Sequence, residues 1–272
     1  MSTAPIITAA LLLAASAHGS TTTVTFEDGV NTGLWTYGFG MSIPMSGGNP
    51  GRYLRSQGLD TFAPQLRTQG SSIFTGDYRA AGVTALGVDL QTFAVDFSAA
   101  ERPLSLLLVS DNGTPGNFDD DYAAYIVGDS DIPVPGEGWK SFSFDVPSSS
   151  LSLPAGWNFI QFGFKSPANP DWNDVITDVS EVIFFSGDPE FFFIFQMWTL
   201  GADNISITTA PPPPECVADA NGDNRTDAAD LSVLLAQFGQ SVPPGTDADF
   251  NGDGVVDAAD LSVLLGQFGC GT

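Results

Sequence analysis

Lys140-Ser141-Phe142-Ser143-Phe144-Asp145-Val146 places apolar side chains at every second position, with polar ones between them. A period of two sends successive side chains to opposite faces of an extended chain, so the segment reads as a strand with one wet and one buried face. Asn158-Phe159-Ile160-Gln161-Phe162 alternates in a similar way. Outward from these, runs rich in Val, Ile, Phe, Tyr and Thr recur between Gly, Pro, Asn and Asp. They lie at Thr23–Phe26, Gly82–Phe97, Pro103–Val109, Tyr122–Val127, Trp157–Phe164, Val179–Phe185, Glu190–Leu200 and Asn204–Ile207. No stretch before residue 209 shows a helical period. About nine to eleven short strands of this kind predict a mainly β chain folded as a two-sheet, jelly-roll β-sandwich. Phe191-Phe-Phe-Ile-Phe195 reads as a strand buried on both faces, because such a run left exposed invites aggregation.

The chain has 272 residues and 43% hydrophobic content, enough for one sizeable core plus a small module. Ile6 to Ala15 is a short apolar run ending at Ala15-Ser16-Ala17, a small-residue cleavage pattern, so residues 1–19 are expected to be a secretory signal peptide. The run is too short to span a bilayer. The expected location is outside the cell, either secreted or at the cell surface. The formal charge is −24, with eight basic residues. That balance argues against nucleic acid as a partner, since no basic patch is available to neutralise phosphates. The sandwich is assigned to residues 20–208. A Pro-rich linker follows at 209–214, where Pro211 to Pro214 favour an extended spacer, and a small module occupies 215–272.

That module contains two copies of one motif. Asp219-Ala-Asn221-Gly-Asp223-Asn224-Arg225-Thr-Asp227-Ala-Ala-Asp230 recurs thirty residues later as Asp249-Phe-Asn251-Gly-Asp253-Gly254-Val255-Val-Asp257-Ala-Ala-Asp260. Oxygen-bearing side chains stand at loop positions one, three, five, nine and twelve, the spacing that Ca²⁺, a hard cation of high coordination number, requires. Each copy runs into Leu-Ser-Val-Leu-Leu-x-Gln-Phe-Gly. Ala228, Leu231, Leu234/Leu235 and Phe238, and likewise Ala258, Leu261, Leu264/Leu265 and Phe268, form one apolar stripe per helix, and the two stripes are expected to pack on each other. Prolines before each loop exclude an entering helix. Cys216 and Cys270, the chain's two cysteines, bracket the module and read as a disulfide in an exported protein.

Residues 216–270 resemble a dockerin module: loop–helix, spacer, loop–helix. The resemblance implies two Ca²⁺ ions and a fold that forms with them. It implies Asp219, Asn221, Asp223, Asp227 and Asp230 as ligands of the first ion, with the Arg225 carbonyl. For the second it implies Asp249, Asn251, Asp253, Asp257 and Asp260, with the Val255 carbonyl. It also implies a cohesin-like or other surface receptor as partner. Ala228-Ala229 and Ala258-Ala259 stand where dockerins often carry a Ser/Thr pair, which leaves the receptor's identity open.

Thr25-Phe26-Glu27-Asp28-Gly29 with Trp35, and Asp203-Asn204-Ile205-Ser206-Ile207, resemble the first and last strands of carbohydrate-binding modules and galactose-binding-like sandwiches. There, terminal-strand carboxylates meet around a structural calcium, which makes Glu27, Asp28 and Asp203 candidates for a third Ca²⁺; turn capping is the alternative. Asp111 to Asp121 is a second acidic loop, read as solvated, with a further hard-cation site as the alternative. Sugar binding needs an aromatic platform; Tyr37, Trp157 and Trp172 lie near turn signals, and Trp172, flanked by polar residues in Asn169-Pro-Asp171-Trp172-Asn173-Asp174, is the candidate ligand-binding residue, with a core role as the alternative. Trp139 and Trp198 fall in strand patterns and read as core.

The single histidine, His18, lies at the predicted cleavage site, so a Ser-His-Asp triad or a multi-His metal centre is excluded. No Glu-x-Asp-x-x-Glu strand motif is present. The reading is a non-catalytic sandwich with polysaccharide as candidate ligand, attached through a calcium-dependent tail. The alternatives are a polysaccharide hydrolase or lyase delivered by that tail, and a structural surface protein.

Overall fold

Phe142 and Phe144 point into a β-sandwich core, while Ser141, Ser143 and Asp145 stand on its outer surface. The structure is a computed structural model and describes residues 19–68, 70, 72–117, 121–160, 171–191, 193–211 and 216–271. The predicted signal segment up to residue 18, most of the Pro-rich segment, the 118–120 end of the acidic loop and the run from Gln161 to Phe164 lie outside the described residues. The chain divides into two units, one spanning His18–Ala210 and one that includes Pro211–Thr272.

The larger unit contains β1 (Ser20–Val24), β2 (Trp35–Thr36), β3 (Met41–Ser42), β4 (Leu54–Thr61), β5 (Gln65–Thr68), β6 (Val83–Val95), β7 (Pro103–Ser110), β8 (Tyr122–Asp131), β9 (Lys140–Asp145), β10 (Trp157–Phe159), β11 (Glu181–Ser186) and β12 (Gln196–Thr209), with one short helix, α1 (Trp172–Ile176). One antiparallel sheet runs β3-β4-β12-β6-β9, with β1 also pairing β12, and the other runs β10-β8-β7-β11-β5-β2. Their inner faces meet in a core that includes Leu54, Leu86, Val88, Leu90, Trp198 and Leu200 from the first sheet and Leu104, Leu106, Leu108, Val182 and Phe184 from the second. The second sheet also buries its outer face, where Leu107, Val109, Ala123, Tyr125, Ile183 and Phe185 form a separate apolar cluster. This explains why Leu104–Val109 is mostly apolar instead of alternating: a strand covered on both faces has no wet side.

Several expectations are corrected. Glu190–Leu200 and Asn204–Ile207 are not two strands; β12 begins at Gln196, and Phe191, Ile194 and Phe195 lie outside any strand with more than half of their surface exposed. β4 went unread because Leu54 and Leu59 are its only large apolar residues. Pairing with β12 holds it in place, and an extra residue, Gly58 at φ +71°, is absorbed as a bulge opposite Trp198/Thr199. Helix α1 is a single turn, too short to show a period. Asp171 caps it by accepting the Asn173 N–H at 3.0 Å, and Trp172, Val175 and Ile176 dock into the core.

In the smaller unit, α2 (Ala228–Gln237) and α3 (Ala258–Gly266) begin at equivalent places, each with a capping box. Asp227 accepts the Ala229 N–H at 2.7 Å, while Asp230 accepts the Asp227 N–H at 2.8 Å. Asp257 and Asp260 repeat both bonds at 2.7 and 2.8 Å. Ala218, Leu234, Ala248, Val256 and Leu264 form the core. The expected full-stripe packing does not occur. Leu235, Phe238, Leu265 and Phe268 are exposed, because neighbours on a helix stand 100° apart and Leu234 and Leu264 take the inward direction. Cys216 and Cys270 form a disulfide, with Cα atoms 5.7 Å apart.

Candidate functional site

The outer face of the first sheet carries an aromatic cluster. Phe93 of β6 shares the phase of Asp89 and Gln91, whose alternation with Val88 and Leu90 points them outward. Trp139 shares the phase of Ser141 and Ser143 one strand away, and Tyr53 immediately precedes β4. The rings converge: Tyr53 to Phe93 is 5.4 Å between centroids, Tyr53 to Trp139 5.4 Å at 80°, and Phe93 to Trp139 6.1 Å at 86°. They can do so because β12 places Gly201 beneath them. A Cβ on Gly201 would stand 2.8 Å from Phe93, 2.8 Å from Trp139 and 2.9 Å from Tyr53.

Gly201 lies opposite Arg55 on β4 and Gln91 on β6, so a cation and an amide flank the rings. The Arg55 guanidinium sits 5.8 Å from the Phe93 centroid. Trp139 is held by its Nε1–H, which donates to the Gly47 carbonyl at 3.0 Å. Tyr53 is buried, and its phenol is pushed up by that burial, with Arg55 acting the other way; Phe93 and Trp139 are partly exposed. Rings fixed at one edge and flanked by hydrogen-bonding groups suit a flat ligand with apolar C–H faces and peripheral hydroxyls. Trp139 is therefore not core. Its place in the polar phase of the β9 alternation was a signal available in the sequence.

Trp172 takes the opposite role. It is 1% exposed and packs edge-on against Trp157, with centroids 5.0 Å apart, so it offers no face to a sugar. Its short helix, set in a polar-looking loop, turns the ring inward. Trp172→Ala is expected to cost about 3–5 kcal/mol of stability, read by denaturant unfolding, and to leave ligand retention of the folded fraction unchanged.

Beside the rings lies an acidic cluster that the sequence reading anticipated in part. Asp203 is fully buried; it accepts the Asn49 N–H at 2.7 Å and the Asn204 N–H at 2.8 Å. Asp89 accepts the side-chain amides of Asn49 at 3.0 Å and Asn204 at 2.7 Å, and Glu27 accepts the Arg52 N–H at 3.0 Å. Asp28 instead caps its own turn by accepting the Val30 N–H at 2.8 Å. The structure thus brings Glu27 and Asp203 to one loop, adds Asp89, and leaves Asp28 as a turn residue.

Burial pushes the Asp203 carboxyl up to about 6; the two backbone donors oppose this, and the charges of Asp89 and Glu27 add to it. A folded-state value above the unfolded one means that the folded chain holds the proton more tightly. Stability is then lost as pH rises from about 4 through about 6. In chelator, Asp203→Asn is expected to remove that fall, measured as the melting temperature followed by tryptophan emission. An identical pH profile for both proteins would exclude Asp203 as its source.

In the smaller unit the two loops repeat one hydrogen-bond pattern. Asp219 accepts the N–H groups of Gly222, Asp223 and Asn224 at 2.8, 3.2 and 2.7 Å. Asp249 accepts those of Gly252, Asp253 and Gly254 at 3.0, 3.2 and 2.8 Å. Asn221 and Asn251 accept from Asp223 and Asp253, and Asp223 and Asp253 accept from Arg225 and Val255. Asp230 and Asp260, both fully buried, accept the Asn221 and Asn251 N–H groups. Burial pushes the carboxyls of Asp219 and Asp249 up, but the backbone donors together outweigh it and hold both below the usual carboxylate range. Both are therefore charged at neutral pH.

Among the described residues no three His, Cys, Asp or Glu side chains form a ready metal cage. The donor chemistry nevertheless fits a hard cation. Each loop offers carboxylate, amide and carbonyl oxygens within twelve residues, and carboxylates with N–H groups on some lone pairs keep others free. Asp227, Asp230, Asp257 and Asp260 already serve as helix caps. Asp219, Asn221, Asp223 and their counterparts at 249, 251 and 253 cap no helix.

No family model and no curated protein matches the sequence. Among solved structures, an exo-β-agarase is similar at 15% identity and a TM-score of 0.38, over 84% of this chain and 32% of its own. The present chain thus spans about a third of that protein. The C-terminal family 22 carbohydrate-binding module of Clostridium thermocellum Xyn10B is similar at 12% identity and a TM-score of 0.35, over 70% of this chain and 92% of its own. The L4b domain of human laminin alpha-2 is similar at 11% identity and a TM-score of 0.38, over 71% and 98%.

Proposed function

We propose that the larger unit is an exported, non-catalytic glycan-binding β-sandwich of jelly-roll type, and that the smaller unit is a calcium-loaded, dockerin-like connector to a surface receptor. The observation that supports glycan binding is the ring cluster above Gly201, with Arg55 and Gln91 beside it. Stacking of a sugar's C–H face on Trp139, with the near-perpendicular Phe93 ring bordering it, supplies affinity, and the polar neighbours select hydroxyl positions. Export is supported by the leader-like sequence and by the disulfide. No helix among the described residues is long and apolar enough to cross a membrane.

In the connector, Asp219, Asn221, Asp223, Asp227, Asp230 and the Arg225 carbonyl would hold one Ca²⁺. Their counterparts Asp249, Asn251, Asp253, Asp257, Asp260 and the Val255 carbonyl would hold the second. The ion's role is charge neutralisation: loop 2 gathers four carboxylates with no Lys or Arg. A structural cation beside Glu27 and Asp203 extends the proposal. Its signature is a calcium-dependent rise in the melting temperature of the sandwich at neutral pH that Asp203→Asn abolishes.

The test of glycan binding is retention of the full chain on immobilised soluble polysaccharides, in parallel with a reducing-end release assay. Trp139→Ala is expected to weaken retention by about tenfold or more on the polysaccharide that binds. Retention unchanged by Trp139→Ala sinks this site. Reducing-end release lost on substituting a single carboxylate overturns the non-catalytic reading.

A further inference from the structure

The two calcium loops are related by a thirty-residue repeat, and the hydrogen bonds that close them follow it. At loop position eight, Val256 donates to the Gln240 carbonyl at 3.0 Å and accepts the Gly239 N–H at 2.7 Å. At the same position in loop 1, Thr226 donates to the Cys270 carbonyl at 3.0 Å and accepts the Gly269 N–H at 2.8 Å. Each loop is therefore closed by the residues that follow the other loop's helix. The entry turns match as well: Asp219 N–H donates to the Cys216 carbonyl at 3.0 Å, and Asp249 N–H to the Thr246 carbonyl at 3.1 Å.

The symmetry fails in chain connectivity. Gln240 and Val256 are joined by a short connection that begins just after α2, whereas Thr226 and Cys270 are separated by both helices and all of loop 2. Closing loop 1 thus carries the larger entropic cost. The disulfide falls at this place and not at its equivalent, since the counterparts of Cys216 and Cys270 are Thr246 and Gln240. Its two halves carry the carbonyls that receive the Asp219 and Thr226 N–H groups, at loop positions one and eight. Its Cys216 sulfur also lies 3.5 Å from the Asn224 carbonyl oxygen at position six.

We propose that the Cys216–Cys270 disulfide is a positioning element for the first calcium loop alone, so that loop 1 affinity depends on the covalent clasp and loop 2 affinity does not. The proposal rests on the reading of the loops as calcium sites. Covalent closure holds Cys216 and Cys270 in register before the ion arrives, so binding at loop 1 need not supply that ordering.

The experiment uses the full chain and calorimetric Ca²⁺ titration in two backgrounds. Asp249→Ala leaves loop 1 as the reporting site, and Asp219→Ala leaves loop 2. Adding Cys216→Ser with Cys270→Ser is expected to weaken Ca²⁺ binding by about tenfold or more in the first background, the scale set by two backbone hydrogen bonds. In the second, the change is expected to stay below about threefold, within the scatter of a surface substitution. Amide exchange of the calcium-loaded double-serine protein with both loops intact gives a second reading, with Thr226 expected to lose protection and Val256 to keep it. Equal weakening of both loops, unfolding of the whole module, or no weakening at loop 1 each overturns the proposal. Absence of Ca²⁺ binding by the disulfide-bonded parent protein instead overturns the calcium reading on which it rests.

Discussion

Chelation of calcium from the full chain is expected to abolish most of its helical circular dichroism while leaving its tryptophan emission unchanged. The two probes separate the units cleanly. All five tryptophans lie before residue 199, and the two longer helices are α2 and α3. These helices have 10 and 9 residues, below the length at which an isolated helix holds in water. The core that supports them is small, with Leu234 and Leu264 as its largest fully buried side chains. Against this stands the mutual repulsion of the four carboxylates that each loop carries, offset by Arg225 in the first loop and by no basic residue in the second. The disulfide limits the unfolded ensemble but leaves that repulsion in place.

Re-addition of Ca²⁺ is expected to restore the helical signal. Asp260→Ala removes a loop carboxylate and the N3 partner of the α3 capping box together, and is expected to weaken the second site by on the order of 100-fold or more. A helical signal that persists in chelator would show that the tail folds on packing and the disulfide alone, and the calcium reading would fall.

Gly201→Val is expected to weaken glycan retention sharply although Gly201 has no side chain with which to touch a ligand. The substituted Cβ would stand at 2.8–2.9 Å from all three rings, closer than real Cβ contacts, and the neighbours are aromatic rings, not flexible chain ends. Phe93 and Trp139 must then separate or tilt, and Trp139 is pulled from its bond to Gly47. Overpacking of this kind costs about 1–3 kcal/mol of stability. The loss of the Trp139 ring's fixed position is expected to lower affinity by about tenfold or more. Trp139→Phe, which keeps a ring in place, is expected to retain part of the binding. If Gly201→Val unfolds cooperatively near the parent's midpoint and still binds normally, the platform is not the ligand site.

Much of the sandwich was legible in sequence wherever one face is wet. Lys140–Asp145 shows its strand openly because Phe142 and Phe144 alternate with polar residues, yet the strand pattern around Trp139 reads as core, and the structure places that ring on the outer face. β4 was not legible, since Gly58 breaks its alternation and its stability comes from β12, a partner about 140 residues away in sequence. Phe191–Phe195 misled for the opposite reason: hydrophobicity alone does not say which run the sheets have room to cover. Trp172 misled because polar neighbours suggested a loop, while one capped helical turn was enough to bury its ring.

What the sequence determined by itself is local: the strand alternation, the two loops with their oxygen spacing, and the cysteine pair at either end of the module. Each follows from neighbours a few residues apart or from a simple repeat. What only the tertiary structure decided depends on residues distant in the chain that meet across β12. One case is Tyr53, Phe93 and Trp139 above Gly201. Another is Glu27, Asp89 and Asp203 around one loop. The pairing of Thr226 with Cys270 was equally hidden in the smaller unit. Strand register and loop closure make those juxtapositions, and neither is written in the spacing of residues along a single segment.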